Sequence, residues 1–185
     1  MREPTMNNIR KEEILKKCFK YLSECGLENV SMRNLCNEID MSMSSVYYWF
    51  EDKDGVIINA TEWGVKYVAD ELFNYIFKYL NNLQIIIITF SEYALRYQNE
   101  LRFIYQVATS KTYGEKIIPL ANNLSTIYDN YAEKIANHFG CNKQELVPYV
   151  YLFVSAVLDY VIWHDKNKME IELNCIYSAI TNMIK

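Results

Sequence analysis

The sequence predicts an all-α protein, and three observations carry that expectation. Its 185 residues include only five glycines and three prolines, too few turn formers for many short strands, whereas long helices need few breakers. Apolar residues recur at three- and four-residue spacing along most of the chain. Ser31, Ser42 and Asp52 each stand just before such a run, where a short oxygen-bearing side chain can cap free backbone amides. The expected plan is a small three-helix domain over residues 1–52 and a larger helical domain over 53–185, with about nine helices in all.

The first helix is expected over 7–25. Ile14, Leu15, Cys18, Phe19 and Leu22 form its apolar stripe, and Lys11, Lys16, Lys17 and Lys20 its wet face. Gly26 follows as a C-terminal cap, where a left-handed backbone costs glycine little. Ser31 opens a short helix over 32–38. Ile39-Asp40-Met41 makes a turn, Ser42 caps a third helix, and Asp52 caps a fourth that runs to about residue 80. Two short helices joined by a three-residue turn are the helix-turn-helix layout, whose second helix enters the major groove of DNA. Further helices are expected over 83–97, 100–111, 117–139, 143–165 and 169–184. Ile85–Ile88 favours strand locally but lies within a longer helical pattern with Phe90, Tyr93, Ala94 and Tyr97.

Composition narrows the function. Hydrophobic residues make up 51% and charged residues 23% of the chain, a globular balance. The net charge of −4 does not by itself announce a nucleic-acid binder. Five cysteines without a CxxC pair point to reduced thiols and a cytoplasmic location, not to a disulfide framework or metal site. Residues 146–163 approach membrane-span length, but Pro148, Asp159 and three tyrosines favour a helix buried in protein. No H-E-x-x-H, G-x-S-x-G or glycine-rich phosphate loop occurs, and His138 and His164 stand near helix ends. Neither an enzyme, a cofactor nor a metal is expected.

The third helix carries the functional signal. Tyr47, Tyr48, Trp49 and Phe50 are consecutive, and neighbours on a helix lie about 100° apart, so they cannot share one core face. Val46 and Phe50 should turn inward with Leu35, Ile39 and Phe19, and Trp49 should lie at the rim. Tyr47 and Tyr48 then face outward, with hydroxyls suited to phosphate oxygens or base edges. Met43, Ser44 and Ser45 occupy the first turn, the part of a recognition helix that reaches base edges. Lys53 sits at the amino end of the fourth helix, where free amides favour an anion.

The stretch ILKKCFKYLSECGLENVSMRNLCNEIDMSMSSVYYWFEDKDGVI resembles the DNA-binding domain of the tetracycline-repressor (TetR) family of bacterial regulators. Gly26, Ser31, Leu35, Ser42, Val46, Tyr47, Phe50 and Lys53 carry the likeness, which is close over about the first 60 residues and architectural beyond. It implies phosphate contacts by Ser31, Tyr47 and Lys53, and base or groove contacts by Arg33, Met43, Ser44 and Tyr48, with Ser42 and Ser45 completing the interface. Asp40 stands where the family commonly has glycine, and Met43 where a polar residue is common. Residues 1–55 hold eight Lys or Arg against ten Asp or Glu, so a DNA face must arise from distribution, with Arg2, Arg10 and Lys11 near the backbone.

The resemblance also implies a homodimer on double-stranded operator DNA, a repressor's role, and release by a small aromatic or lipophilic effector. An effector cavity would draw on Tyr93, Tyr97, Phe103, Tyr105, Tyr113, Tyr128 and Tyr131, with Glu92 or Asp159 available to a positive group. Asp159 could equally face the dimer interface or solvent. The dimer would form on the last two helices, through Val150, Val154, Val157, Leu158, Val161, Ile176, Ile180 and Met183. The alternatives are a helical adaptor that has lost DNA binding and a small helical enzyme.

Overall fold

The computed structural model describes residues 6–183; Arg2 and the expected helix end at Ile184 lie outside them. Nine α-helices are present among the described residues: α1 (Met6–Cys25), α2 (Met32–Glu38), α3 (Met43–Phe50), α4 (Lys53–Lys78), α5 (Leu83–Ala94), α6 (Gln98–Thr109), α7 (Ile118–Phe139), α8 (Lys143–Trp163) and α9 (Lys166–Met183). Short 3-10 turns precede or follow several of them, including Leu27–Asn29 and Glu115–Ile117. The expected all-α class holds.

The caps act as their chemistry requires. Ser31 Oγ accepts from the amide of Asn34, Ser42 Oγ from that of Ser45, and Asp52 Oδ1 from that of Gly55 at 2.7 Å. Each satisfies one of the backbone donors that a helix start leaves free. Asp40 takes φ 54° in the turn after α2, the left-handed backbone that Asp tolerates better than most residues. That is how the chain turns there without glycine. Glu51, at φ 68°, ends α3 and turns the chain into α4.

The chain packs as two compact units. The first runs to Val68 and takes in Asn99–Leu120; the second comprises Ala69–Gln98 and the chain from Ala121 on. The sequence-based division at 52/53 coincides instead with the start of α4, a helix whose residues belong to both units.

Phe19 lies at the centre of the first unit, 2% exposed, with Leu22, Leu35, Val46, Phe50 and Phe103 buried in the same unit. Its ring meets Trp63 edge-on at 5.9 Å and Phe103 at 6.0 Å. Two glycines of α4 permit this packing. A Cβ on Gly64 would stand 2.1 Å from the Phe19 ring, and one on Gly55 would stand 1.9 Å from the carbonyl oxygen of Phe50. Cys18 fills the same core; burial raises its thiol pKa to about 12, which keeps it inert.

In the second unit α8 packs along α9, and α5 lies against both. Leu146, Val150, Phe153, Val157 and Val161 are the buried face of α8. This helix is long and apolar enough to cross a membrane by length and composition, yet that face is spent on protein contacts. His164 ends it in the left-handed region, its amide bonded to the Tyr160 carbonyl.

Gly64→Ala is expected to overpack the Phe19 ring and cost about 1–3 kcal/mol. Thermal unfolding should show a fall in Tm, and Phe19→Leu in the same chain should recover part of it by vacating the space.

Candidate nucleic-acid interface

Helix α3 divides cleanly into two faces. Val46 is fully buried and Phe50 2% exposed, while Ser42, Met43, Ser44 and Ser45 are exposed and Tyr48 is 82% exposed. Tyr47 and Trp49 are half-buried, and the Trp49 ring meets Tyr48 edge-on at 5.7 Å. Tyr48 thus presents most of its ring to solvent on the helix that follows the turn. At the start of the helix, Ser42 Oγ lies 3.0 Å from Ser44 Oγ and 2.8 Å from Ser45 Oγ. Three hydroxyls thus gather at an exposed helix N-terminus, where small side chains permit close approach and can donate to or accept from a base edge or phosphate.

The basic groups are arranged unequally. Arg33 is exposed on α2 and Arg10 on α1, while the Lys11 ammonium lies 5.8 Å from the Phe50 ring centroid, beside the end of α3. Lys53, at the start of α4, is partly exposed. Its ammonium donates to the Val30 carbonyl at 3.0 Å, tying the start of α4 to the residue before the α2 cap. Sequence spacing identified the lysine but could not reveal that a backbone acceptor lay within reach.

The first unit also contains a polar junction that the sequence did not suggest. Asp54, in the first turn of α4, accepts from the Tyr113 hydroxyl at 2.9 Å and from the Lys116 ammonium at 2.5 Å. These two bonds hold the Asp54 carboxyl below its ordinary range, the lysine contributing first and the phenol second. Burial, and then the bond to Asp54, push the Tyr113 phenol up to about 12. On the neighbouring side, Gln106 Oε1 of α6 accepts from the Leu27 amide at 3.0 Å. The turn before α2 and the start of α4 are therefore fastened to α6 and the turn after it by residues 79 and 59 positions apart in the chain.

Solved structures share this fold across nearly the whole chain. A TetR transcriptional regulator from Rhodococcus sp. RHA1 matches with TM-score 0.58 at 12% identity, over 95% of this chain and 98% of that one. A TetR transcription regulator from Haloarcula marismortui matches with TM-score 0.56 at 13% identity, over 95% and 98%. The chain has the TetR-regulator fold. A TetR-family regulator from Streptomyces coelicolor agrees, with TM-score 0.53 at 15% identity over 94% and 99%. No protein-family model matches the sequence, and no curated protein sequence does.

Within this TetR fold, the aromatic residues expected to line one cavity have several different duties. Phe103 is core, buried against Phe19, and Tyr113 is bound to Asp54 in the same unit. Tyr105 is 45% exposed. In the second unit, the Tyr131 hydroxyl donates to Asp70 at 2.6 Å while its ring stacks on Phe73 at 3.8 Å. Tyr97 donates to Glu71 Oε2 at 2.7 Å, and Tyr93 to the Glu71 carbonyl at 3.4 Å. Burial and these carboxylate acceptors raise the phenol pKa of Tyr97 and Tyr131. Tyr128 meets Tyr151 edge-on at 5.1 Å. Asp159 pairs with Lys168 on α9 and is partly exposed, so its charge is already matched within the chain. Glu92 is exposed and, with Tyr93, borders a cleft that also includes Tyr75, Tyr79, Lys78 and Arg96.

A separate, partly open apolar cavity of about 80 Å³ lies in the second unit, among Phe73 and Ile76 of α4, Ile86 of α5, Val150 and Phe153 of α8, and Leu173, Ile176 and Ile180 of α9. None of its lining residues is charged; Tyr149 and Tyr177 are the ones with a polar atom. Val150, Ile176 and Ile180, expected at a dimer interface, thus border this cavity. Val157 and Val161 are buried within the unit itself, while Val154, Leu158 and Met183 are half-buried. The exposed apolar residues of α8 and α9 are Tyr151, Leu152, Trp163 and Ile171, which helical spacing alone did not single out. Among the described residues no group of His, Cys, Asp and Glu is placed to hold a metal ion.

Because its folded-state pKa is depressed, Asp54 should contribute stability above its ordinary value of 3.8 and lose it as pH falls through the lower folded value. Asp54→Asn is therefore expected to lower Tm at pH 7, and the gap from the parent protein should narrow below pH 3.8. A pH-independent gap would show that the carboxylate charge is not what matters.

Proposed function

We propose that this protein is a one-component transcriptional regulator of the TetR type, a cytoplasmic homodimer that binds palindromic operator DNA and is released by a small molecule. The single observation that carries this reading is the exposed face of α3, which presents three hydroxyls, Met43 and Tyr48 on a helix whose opposite side is buried. That is the distribution a recognition helix needs: an apolar anchor behind and small or amphipathic groups toward the groove. Arg33, Ser31 and Tyr47 flank it and supply backbone contacts, and Met43 is suited to a thymine methyl. Residues 1–52 form the DNA-reading part, and 53–185 the sensing and dimerising part.

Dimerisation is assigned to α8 and α9, whose exposed Tyr151, Leu152, Trp163 and Ile171 form apolar surface that a symmetric partner would cover. Release is assigned to α4, because one continuous helix carries both Asp54 beside α3 and Phe73 and Ile76 at the cavity. The role of repressor follows the habit of the fold's known members.

Selection from random duplexes, followed by shift assays across salt concentrations, tests DNA recognition. The selected site should be palindromic, with half-sites about 34–36 Å apart. Arg33→Ala should weaken binding to every sequence and lower the salt slope by about one unit. Tyr48→Ala should change which bases are preferred. Recovery of no duplex above background would refute the reading.

Dimerisation has its own test in sedimentation. Leu152→Arg should leave the helical content and Tm near those of the parent while halving the mass, because Leu152 is 54% exposed. Val157→Arg, placed in the core, should instead unfold the chain.

A further inference from the structure

Trp49 stands beside the proposed reading face of α3, and we infer that it is a positioning residue for base recognition: its indole holds the Tyr48 ring in the one orientation in which that ring meets a base. This role presupposes the regulator reading proposed above. Three observations carry it. Tyr48 is 82% exposed, so the body of the protein restrains its side chain little. Its ring nevertheless meets the Trp49 ring edge-on, with centroids 5.7 Å apart and planes at 83°. Trp49 is itself half-buried and directly precedes the buried Phe50, so part of its indole is fixed by the first unit.

Helix geometry does not force this contact. Neighbouring side chains leave a helix about 100° apart and do not face each other. Two adjacent rings therefore touch only when both lean into the gap between them. Clash with the preceding turn leaves an aromatic side chain on a helix essentially two χ1 orientations, and an exposed tyrosine without a neighbour would populate both. The perpendicular arrangement, with the positive edge of one ring against the negative face of the other, favours one of them. The contact is made by the rings, which leaves the Tyr48 hydroxyl for a base edge.

Ordering Tyr48 before DNA arrives has two effects. Immobilising a side chain at an interface lowers affinity by about two- to tenfold, and a ring already held in the free protein avoids that loss. A held ring also cannot swing to suit a different base. Discrimination should therefore sharpen at the base that Tyr48 meets, while contacts to the DNA backbone are untouched.

The test begins with NMR on the DNA-free parent chain. A nuclear Overhauser contact between the two rings and a single Tyr48 χ1 orientation are expected. Averaging of Tyr48 over two orientations, with no contact to Trp49, would overturn the inference without any variant. Selection from random duplexes then compares the parent with Tyr48→Ala, Trp49→Leu, which removes the ring, and Trp49→Phe, which keeps one. Trp49→Leu should lose about two- to tenfold of the preference, at the same base position that Tyr48→Ala affects. Its salt slope and its other base preferences should match the parent, and Trp49→Phe should retain most of the discrimination. Adding Trp49→Leu to Tyr48→Ala should change nothing further, because the two rings act as one unit. A parent-like profile in Trp49→Leu would overturn the inference. So would an equal loss at every base position, since Trp49 would then be a phosphate contact through its indole N–H or plain packing. The regulator reading fails separately: the parent then selects no duplex even with the rings in contact, and the role of Trp49 falls with it.

Discussion

Much of the first unit depends on one contact, the ring of Phe19 seated on the bare backbone of Gly64 and closed over by Trp63 and Phe103. Phe19 belongs to α1, Trp63 and Gly64 to α4, and Phe103 to α6, so one aromatic side chain joins three helices distant in sequence. The ring is 2% exposed, and burying a side chain of that size contributes on the order of 1.5–3 kcal/mol. The short helices α2 and α3 have too few turns to be stable alone, and they depend on burying Leu35, Val46 and Phe50 within the same unit. The exposed face of α3 is thus a consequence of what its other face has found to pack upon.

Polar bonds then give the cluster direction. Hydrophobic burial alone would permit α6 to slide over α1, since apolar contacts carry little orientation. The Gln106 bond to the Leu27 amide and the Asp54 bonds to Tyr113 and Lys116 set the register. Lys53 contributes likewise through the Val30 carbonyl. Partly exposed ion pairs such as Asp54–Lys116 are worth little as stability. Their geometry, four groups meeting at the foot of α4, matters more for position than for energy.

The all-α class, the helix order and the inward residues of α1 to α3 were legible in sequence because each rests on local chemistry: caps, periodicity, and the impossibility of burying four adjacent rings on one face. Even Asp40 could be read as a left-handed turn residue. What sequence could not supply was the partner of each side chain. Lys53, read as a phosphate ligand, also has a backbone carbonyl within reach, and Phe103, read as cavity lining, is buried against Phe19. Val157 looked like interface and faces inward, because an α8 that is apolar on most sides offers no periodic cue to which face a neighbour covers. The cavity is formed by residues from α4 to α9, and no local pattern announces a space.

The close approach at Gly55 has a mechanical consequence. With the α4 backbone close against the last carbonyl of α3, and Asp52 bonded back to the Gly55 amide, the joint between the two helices has no slack to absorb rotation. A hinge normally sits where the chain has loose, solvated residues; here the connection is two residues long, and one of its side chains is already bonded into the helix it precedes. The end of α3 and the start of α4 therefore form one tight corner, closed by a carbonyl on one side and a carboxylate on the other, and neither helix can shift there without disturbing the other.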